Sequence, residues 1–147
     1  MAQQNKSPKL FTVEEANQLL PQVRQTLKDL RNRREDIRKI EQKIAVEELT
    51  WLRKDGTVDP KAEEQLSRLK KMLDEMVNTF GQGFERLNAL GAQLKDLDEG
   101  LVDFFMVRGN TLVYLCWKEG EDRIRFWHDM ESGFPGRQPL EENEITR

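Results

Sequence analysis

The most regular feature of the chain is a run of apolar residues that recur at alternating steps of four and three positions. Such steps average three and a half residues, which is the period at which α-helices wrap around one another. The pattern predicts a helix over residues 60–99, and so long a helix needs a partner along its length. The apolar positions are Ala62, Leu66, Leu69, Leu73, Met76, Phe80, Gly83, Leu87, Leu90, Leu94, Leu97 and Leu101.

A first, less regular helix is predicted over residues 11–53. Thr12 is placed to cap its first turn, and Glu15 is placed to close the capping box. Pro21 removes a backbone donor, so we expect either a kink near Leu20 or a short helix that ends and restarts. The apolar positions that keep helical spacing are Val23, Leu27, Leu30, Ile37, Ile40, Ile44 and Leu49.

The segment between the two helices, residues 53–60, has the composition of a turn. Gly56 suits a left-handed cap, and Pro60 suits the first turn of a second helix. Because short connections join antiparallel neighbours, the helices are predicted to form a long antiparallel, coiled-coil-like hairpin.

The second helix is wider on its apolar side than a two-helix pair can cover. Met72, Val77 and Phe84 flank the regular apolar positions. The extra width needs another surface, either the C-terminal part of this chain or a second copy of it, so a homodimer is predicted.

After Gly100 the pattern changes from helix to strands. The apolar runs LVDFFMV, TLVYLCW and DRIRFWH are separated by turn residues around 109–110 and 119–120. We predict a three-stranded antiparallel β-meander over residues 101–128. A C-terminal loop and a fraying tail follow over residues 129–147.

The two tight turns set the predicted register of these strands. In this register Cys116 lies opposite Arg123, whereas His128 lies opposite Thr111 and on the other face of the sheet. The core face is predicted to carry Phe104, Met106, Val113, Leu115, Ile124 and Phe126. The opposite face is predicted to carry Phe105, Val107, Leu112, Tyr114, Cys116, Arg123, Arg125 and Trp127.

Composition narrows the class of protein. Charged residues make up 35% of the chain and the net charge is −3, which is typical of solvated helix and gives no overall attraction for nucleic acid or acidic membrane. The single cysteine excludes an intrachain disulfide. The chain shows no signal peptide or membrane-spanning run, so we expect a cytoplasmic protein without membrane contact. The length fits one domain, residues 1–147, of the α+β, mainly α class.

His128, the single histidine, is the first candidate for chemistry. It would transfer a proton or bind an anionic ligand together with Arg125, Glu121 or Arg137. The structural alternative, a strand-end histidine that bonds a loop carbonyl, is favoured because a reactive group needs a cleft. One histidine with nearby carboxylates lacks the ligand number and spacing of a zinc motif, so no metal, cofactor or catalytic residue is predicted.

Cys116 would form a nucleophilic dyad with His128 only if the two side chains came within hydrogen-bond reach. The predicted register opposes this because it places them on different faces of the sheet. A small, partly buried thiol is therefore favoured.

The C-terminal half carries a distinctive set of residues, from Cys116-Trp117 through Trp127-His128 to Gly133-Phe134 and residues 137–140. Together with FTVEEANQLLP near the start and GLVDF before the first strand, these residues resemble a family of small bacterial proteins catalogued as domain of unknown function 2203. The resemblance spans nearly the whole chain. That family carries no assigned activity, cofactor or partner, so the resemblance implies the fold boundaries and a bacterial cytoplasmic setting only.

Three functions remain open from the sequence. We favour a non-catalytic protein-interaction module. It would present the face of the β-meander opposite the predicted core, together with the GFPGR loop at residues 133–137, to an unidentified protein partner. The alternative is a small-molecule-binding protein or small enzyme in which His128 is the acid or base and Arg137 binds an anion. Nucleic-acid binding by the Arg31–Lys39 segment is disfavoured because acidic residues interleave with its cations. The predicted binding residues are Tyr114, Arg125, Trp127, His128 and Arg137.

Overall fold

The computed structural model describes residues 8–51, 56–57 and 59–145. The fold is α+β and mainly α, as predicted. The helices are α1 (Val13–Trp51), α2 (Pro60–Leu90) and α3 (Glu142–Ile145), with a short 3-10 helix at Phe134–Gly136. The strands are β1 (Gln93–Asp96), β2 (Leu101–Arg108), β3 (Thr111–Lys118), β4 (Phe126–His128) and β5 (Gln138–Pro139).

The chain divides into two compact units. The hairpin unit is Lys28–Gly83, and the sheet unit combines the residues up to Leu27 with those from Phe84 onward. The single domain expected from the chain length stays a prediction. No helix in the described part of the chain carries an apolar stretch sufficient to cross a bilayer.

Two antiparallel helices build the hairpin unit. Its buried core is formed by Ile44, Leu66 and Leu69, with Ile40 and Leu73 packed against them. Glu48 of α1 pairs with Lys70 of α2, whereas the earlier Arg33 lines a cavity with the later Thr79, which is the order of an antiparallel pair. The helical hairpin predicted from the apolar spacing is therefore confirmed.

Several apolar side chains of the hairpin unit remain exposed. Met72 and Val77 on α2 are half exposed, and Val46 and Leu49 on α1 are more exposed still. A second copy of the chain would cover such positions, but the homodimer stays a prediction.

The start of α1 follows the capping box read from the sequence. The backbone N–H of Glu15 donates to Thr12 Oγ1 at 3.1 Å, and the N–H of Thr12 donates to a Glu15 carboxylate oxygen at 2.9 Å. Pro21 lies inside α1, which continues without interruption to Trp51. A short helix that ends before Pro21 and restarts is therefore wrong.

The second helix ends at Leu90, nine residues before the predicted end at residue 99. Gly91 adopts φ +90°, the N–H of Gly91 donates to the Asn88 carbonyl, and the N–H of Ala92 donates to the Leu87 carbonyl. These two bonds form a Schellman motif, which closes a helix around a left-handed glycine. The later leucines that keep the helical spacing lie instead in β1, the following turn and β2.

The predicted meander is the centre of a larger sheet. Five antiparallel strands lie in the order β1-β2-β3-β4-β5, so β1 and β5 extend the three predicted strands on both edges. The hairpin between β2 and β3 has the predicted two-residue loop, because Arg108 pairs with Thr111 and Gly109 has φ +64°. The third predicted strand is shorter than expected and covers only Phe126–His128.

The pairing of β3 with β4 corrects the predicted register. Cys116 pairs with Phe126 rather than with Arg123, a shift of three residues. The N–H of Ile124 donates to Asn17 Oδ1 at 2.7 Å, which holds the segment before β4 outside the strand pairing. An odd shift moves every β4 side chain to the other face of the sheet.

The core of the sheet unit lies on one face of β2 and β3. Its fully buried strand residues are Val102, Phe104, Val113, Leu115 and Trp117. The apolar face of early α1 packs on them, with Ala16, Leu20, Val23 and Leu27 buried. Ile124 is buried as predicted, but Phe126 lies on the opposite face and the prediction that it belongs to the core face is wrong.

The C-terminal segment contacts β2. Arg108 binds Glu144 of α3 through two hydrogen bonds, at 2.8 and 3.2 Å. The fraying predicted for this tail stays a prediction, and residues 146–147 lie outside the described part of the chain.

Candidate functional site

The corrected register brings three titratable side chains onto one face of the sheet. Asp103 of β2 pairs with Cys116 of β3, and Cys116 pairs with Phe126 of β4. His128 lies two residues after Phe126 and therefore projects from the same face of the sheet. One ligand atom from each of Asp103, Cys116 and His128 lies within 4.8 Å of the other two. The prediction that Cys116 and His128 lie on different faces is therefore wrong.

All three residues are removed from solvent. Asp103 is 2% exposed, Cys116 is 1% exposed and His128 is 3% exposed. Burial of polar groups costs free energy unless each finds a hydrogen-bond partner. The three side chains supply one another with such partners, and we call them the Asp-Cys-His cluster.

His128 is held at both ring nitrogens. Its Nδ1 lies 2.7 Å from the backbone carbonyl oxygen of Asp129, and its Nε2 lies 2.9 Å from Asp103 Oδ2. A carbonyl oxygen only accepts, so Nδ1 must carry its proton and donate it. Nε2 and Asp103 therefore share one proton, and the imidazole orientation is fixed. The predicted contact of a strand-end histidine with a loop carbonyl is confirmed, but a second contact accompanies it.

Asp103 sits between opposing electrostatic influences. Burial raises the pKa of its carboxyl above the usual value, whereas the neighbouring charge and hydrogen bond of His128 lower that pKa. The Lys95 ammonium also lowers the pKa of Asp103. The net direction is upward because desolvation dominates.

Cys116 carries a strongly perturbed thiol. Burial, followed by the nearby charge of Asp103, raises the pKa of Cys116 to about 12, and Arg137 opposes the shift. Its thiol is neutral near pH 7 and is not an activated nucleophile in this state. The buried thiol agrees with the prediction, although the register used to reach it was wrong.

A cavity of about 200 Å³ opens beside the cluster. Its wall combines the cluster with aromatic, aliphatic and charged side chains. The remaining lining residues are Lys95, Leu101, Tyr114, Met130, Glu131, Gly133 and Phe134. The mixture of an apolar wall and a few convergent polar groups is typical of small-molecule sites.

Tyr114 is the predicted binding residue that joins His128 at the cavity. It pairs with His128 across β3 and β4, and the two ring centroids lie 5.2 Å apart. Its ring stacks on Phe105 at 4.8 Å, and Lys95 Nζ lies 4.7 Å from the ring centroid. The hydroxyl of Tyr114 donates to Gln93 Oε1 at 3.3 Å.

Arg137 is next to the cluster but its charge is already paired. Its two terminal nitrogens contact the Glu121 carboxylate at 3.2 and 2.6 Å. Its guanidinium also lies 4.0 Å from the Phe126 ring and 4.4 Å from the Phe134 ring. These contacts fix the loop that covers the cavity, so the position suits a structural clamp better than an anion-binding group.

The other two predicted binding residues lie elsewhere. Trp127 pairs with Leu115 on the core face, where the Arg108 guanidinium lies 4.3 Å from its ring. Arg125 precedes β4 and contacts Asp122 at 3.4 Å. The predicted sharing of one face by Tyr114 and Trp127 is therefore wrong.

Sequence reasoning missed Asp103 and Lys95. A signal for Asp103 was present, because it is the single charged residue between the apolar neighbours of the LVDFFMV run. A carboxyl group inside a buried strand needs a partner. Lys95 gave no comparable signal because it lay within the predicted second helix.

The structure thus defines a mainly helical α+β protein with a buried Asp-Cys-His cluster beside a small cavity. The chain belongs to the family described as "Uncharacterized conserved protein (DUF2203)", whose model matches residues 9–140. The matched residues include the whole cluster. No curated protein and no solved structure matches the chain.

Proposed function

We propose that this protein binds a small polar molecule in the cavity beside His128. The observation that carries the proposal is the Asp103–His128 pair, held at 2.9 Å and buried at the wall of a 200 Å³ cavity. A buried ionisable pair is costly to desolvate, and its placement against an open cavity rather than inside the packed core favours a binding role.

The cavity sets the size and chemistry of the molecule. Since a water molecule occupies roughly 30 Å³, the cavity holds the equivalent of about seven waters. Tyr114 and Phe134 offer aromatic surface, whereas Lys95 and the Asp103–His128 pair offer polar contacts. A compact molecule with a flat or apolar body and one polar end fits this wall.

The protein-interaction module favoured from the sequence has weaker support than small-molecule binding. Its five residues are distributed over both faces of the sheet and the covering loop, and Arg137 already binds Glu121. Nucleic-acid binding by residues 31–39 gains no support either, because Arg38 of that segment pairs with Glu35. A cytoplasmic setting fits the small-molecule proposal.

The proposal is tested by native mass spectrometry of the purified protein and by thermal shift across a library of small polar metabolites. We expect either a retained molecule or a ligand that raises the melting temperature of the wild-type protein. Met130→Trp, at a 45% exposed position on the cavity wall, and His128→Asn should both abolish that effect.

Arg125→Gln is the matched control because Arg125 does not line the cavity. The control should retain the molecule. A wild-type protein without any retained molecule or stabilising ligand would contradict the proposal, as would ligand binding that both cavity variants leave unchanged. Met130→Trp keeps the test decisive if His128→Asn fails to fold.

A further inference from the structure

We propose that Asp103, Cys116 and His128 bind one divalent transition-metal ion, for which Zn²⁺ is the best fit. The site would occupy the buried wall of the cavity described above. This inference rests on the proposed function only for the small molecule that would complete the metal coordination.

The donor atoms of the cluster are spaced almost as a tetrahedral zinc ion requires. The carboxylate oxygen of Asp103, Sγ of Cys116 and Nε2 of His128 all lie within 4.8 Å of one another. Zinc bonds of roughly 2.0–2.3 Å in tetrahedral geometry place ligand atoms about 3.3–3.8 Å apart. The 2.9 Å separation of His128 Nε2 from Asp103 Oδ2 would open by a few tenths of an ångström. The longer separations, which reach at most 4.8 Å, would close by up to about 1 Å, and side-chain rotations of this size would admit an ion.

His128 is oriented by a hydrogen bond at its other ring nitrogen. Its Nδ1–H donates to the Asp129 carbonyl at 2.7 Å, which directs Nε2 towards the cluster. Metal-binding histidines almost always donate their other ring N–H in this way, because the bond fixes the tautomer and the ring orientation. The histidine is thus already held as a ligand requires.

All three candidate ligands lie on neighbouring strands of the sheet. Asp103 and Cys116 are directly paired residues of β2 and β3, and His128 projects from the adjoining β4. Paired strands are rigid elements, and all three side chains are buried among them. A site on such elements holds its geometry better than a site on loops.

The donor set selects the kind of ion. One nitrogen, one oxygen and one sulfur suit Zn²⁺ and related transition metals, whereas Mg²⁺ and Ca²⁺ prefer oxygen donors alone. On binding, the thiol proton of Cys116 and the proton shared by Asp103 and His128 would both be released to solvent, so that thiolate, carboxylate and neutral imidazole coordinate the ion. The ion, carboxylate and thiolate then sum to zero charge, which suits a buried position. Among the described residues, this is the one group of three such side chains with ligand atoms this close.

Three protein ligands leave a fourth tetrahedral position. In zinc proteins, closed structural sites use four protein ligands, whereas sites that act on small molecules keep one position for water or substrate. The cluster lines the cavity, so this fourth position would face the space where the proposed molecule binds. The small molecule of the proposed function would therefore carry a group that coordinates the metal ion.

The test uses full-length protein stripped with a chelator and then titrated with Co²⁺ as a spectroscopic substitute for Zn²⁺. We expect one ion per chain and thiolate-to-cobalt charge-transfer absorption in the near ultraviolet. Cys116→Ser should abolish that absorption and weaken metal affinity by at least about ten-fold. Asp122→Asn, an exposed carboxylate outside the cavity, is the matched control and should bind like the wild type.

Absence of the charge-transfer band in wild-type protein would overturn the metal site, as would equal metal affinity in wild type and Cys116→Ser. Serine is nearly isosteric with cysteine, so we expect Cys116→Ser to keep the fold while it removes the thiolate ligand. If the protein binds no metal but still retains a small molecule, the metal site is wrong and the proposed function is supported. If the protein binds the metal but no small molecule, the metal site is supported and the proposed function is contradicted.

Discussion

Each face of β2 and β3 carries a buried residue pair at its centre, but the two pairs differ in chemistry. On the core face Phe104 and Leu115 pair across the strands and are completely buried. On the cavity face the neighbouring pair is Asp103 and Cys116, and each of these side chains is at most 2% exposed. Burial alone therefore does not distinguish a packing position from a candidate functional one. The distinction comes from polar side chains that border a cavity.

The two faces also depend on different forces. The core face is stabilised by removal of apolar surface from water and by close packing. The cavity face loses hydration free energy when its polar groups are buried, and hydrogen bonds among those groups offset the loss. Substitutions on the two faces should consequently differ in size and in pH dependence.

The largest expected effect is on the core face. Trp117→Ala should lower the free energy of unfolding by about 3–5 kcal/mol, because Trp117 is fully buried and its indole N–H donates to the Glu121 carbonyl. Urea denaturation followed by circular dichroism measures this change. The half-buried Trp127→Ala is the comparison and should cost clearly less. Equal losses for the two tryptophans would contradict the assignment of the core.

The next effect is on the cavity face. Asp103→Ala should destabilise the protein by about 2–4 kcal/mol, because it leaves Nε2 of His128 buried without its carboxyl partner. A double-mutant cycle with His128→Ala should show a coupling free energy of about 1–3 kcal/mol. Additive losses from the two substitutions would show that the 2.9 Å contact contributes nothing to folding.

The thiol of Cys116 should produce a smaller, pH-dependent effect in chelator-treated protein. Its pKa rises from the ordinary 9.0 to about 12 on folding, so the folded state keeps a proton that the unfolded state loses. The resulting stabilisation is complete below about pH 9 and disappears as the pH rises towards 12. Stability should fall by up to about 1.4 kcal/mol per pH unit in this window.

Cys116→Ser is the control for this pH profile and should lack the extra decline above pH 9. Alkylation of the wild-type thiol near pH 8 should be about a thousand-fold slower than that of a free cysteine, because each pKa unit reduces the thiolate fraction ten-fold. Rapid alkylation at that pH would contradict the raised pKa.

The smallest effect is expected at the turn after β4. Asp129 accepts hydrogen bonds from the backbone N–H groups of Ser132 and Glu131, which lower the pKa of its exposed carboxyl. Its contribution is present above the unfolded-state pKa and is lost as the pH falls through the folded-state pKa. Asp129→Asn should therefore lower the melting temperature slightly at pH 7 and hardly at all at strongly acidic pH. If Asp129→Asn lowered the melting temperature more at acidic pH than at pH 7, the lowered pKa of Asp129 would be contradicted.

Elements with short-range causes could be predicted from the sequence. The antiparallel helices follow from apolar spacing, the start of α1 follows from Thr12 and Glu15, and the β2–β3 hairpin follows from its two turn residues. Each of these features depends on residues within a few positions of one another or on a repeat sustained over many turns.

Within the candidate site, the sequence identified His128 and Tyr114 but placed them on different faces. The error came from assuming a two-residue loop after β3. The connection spans residues 119–125, and the N–H of Ile124 within it donates to Asn17, more than a hundred residues earlier, while β4 pairs three residues later than predicted. A contact between residues so distant in sequence leaves no local pattern to read.

By itself, the sequence determined the helical hairpin, the central strands and the presence of single cysteine and histidine residues. Tertiary structure alone decided that Asp103, Cys116 and His128 meet beside a cavity. The physical reason is that apolar periodicity specifies which side of an element is buried, whereas the register between β3 and β4 follows a connection whose contacts, such as Ile124 with Asn17, come from residues distant in sequence.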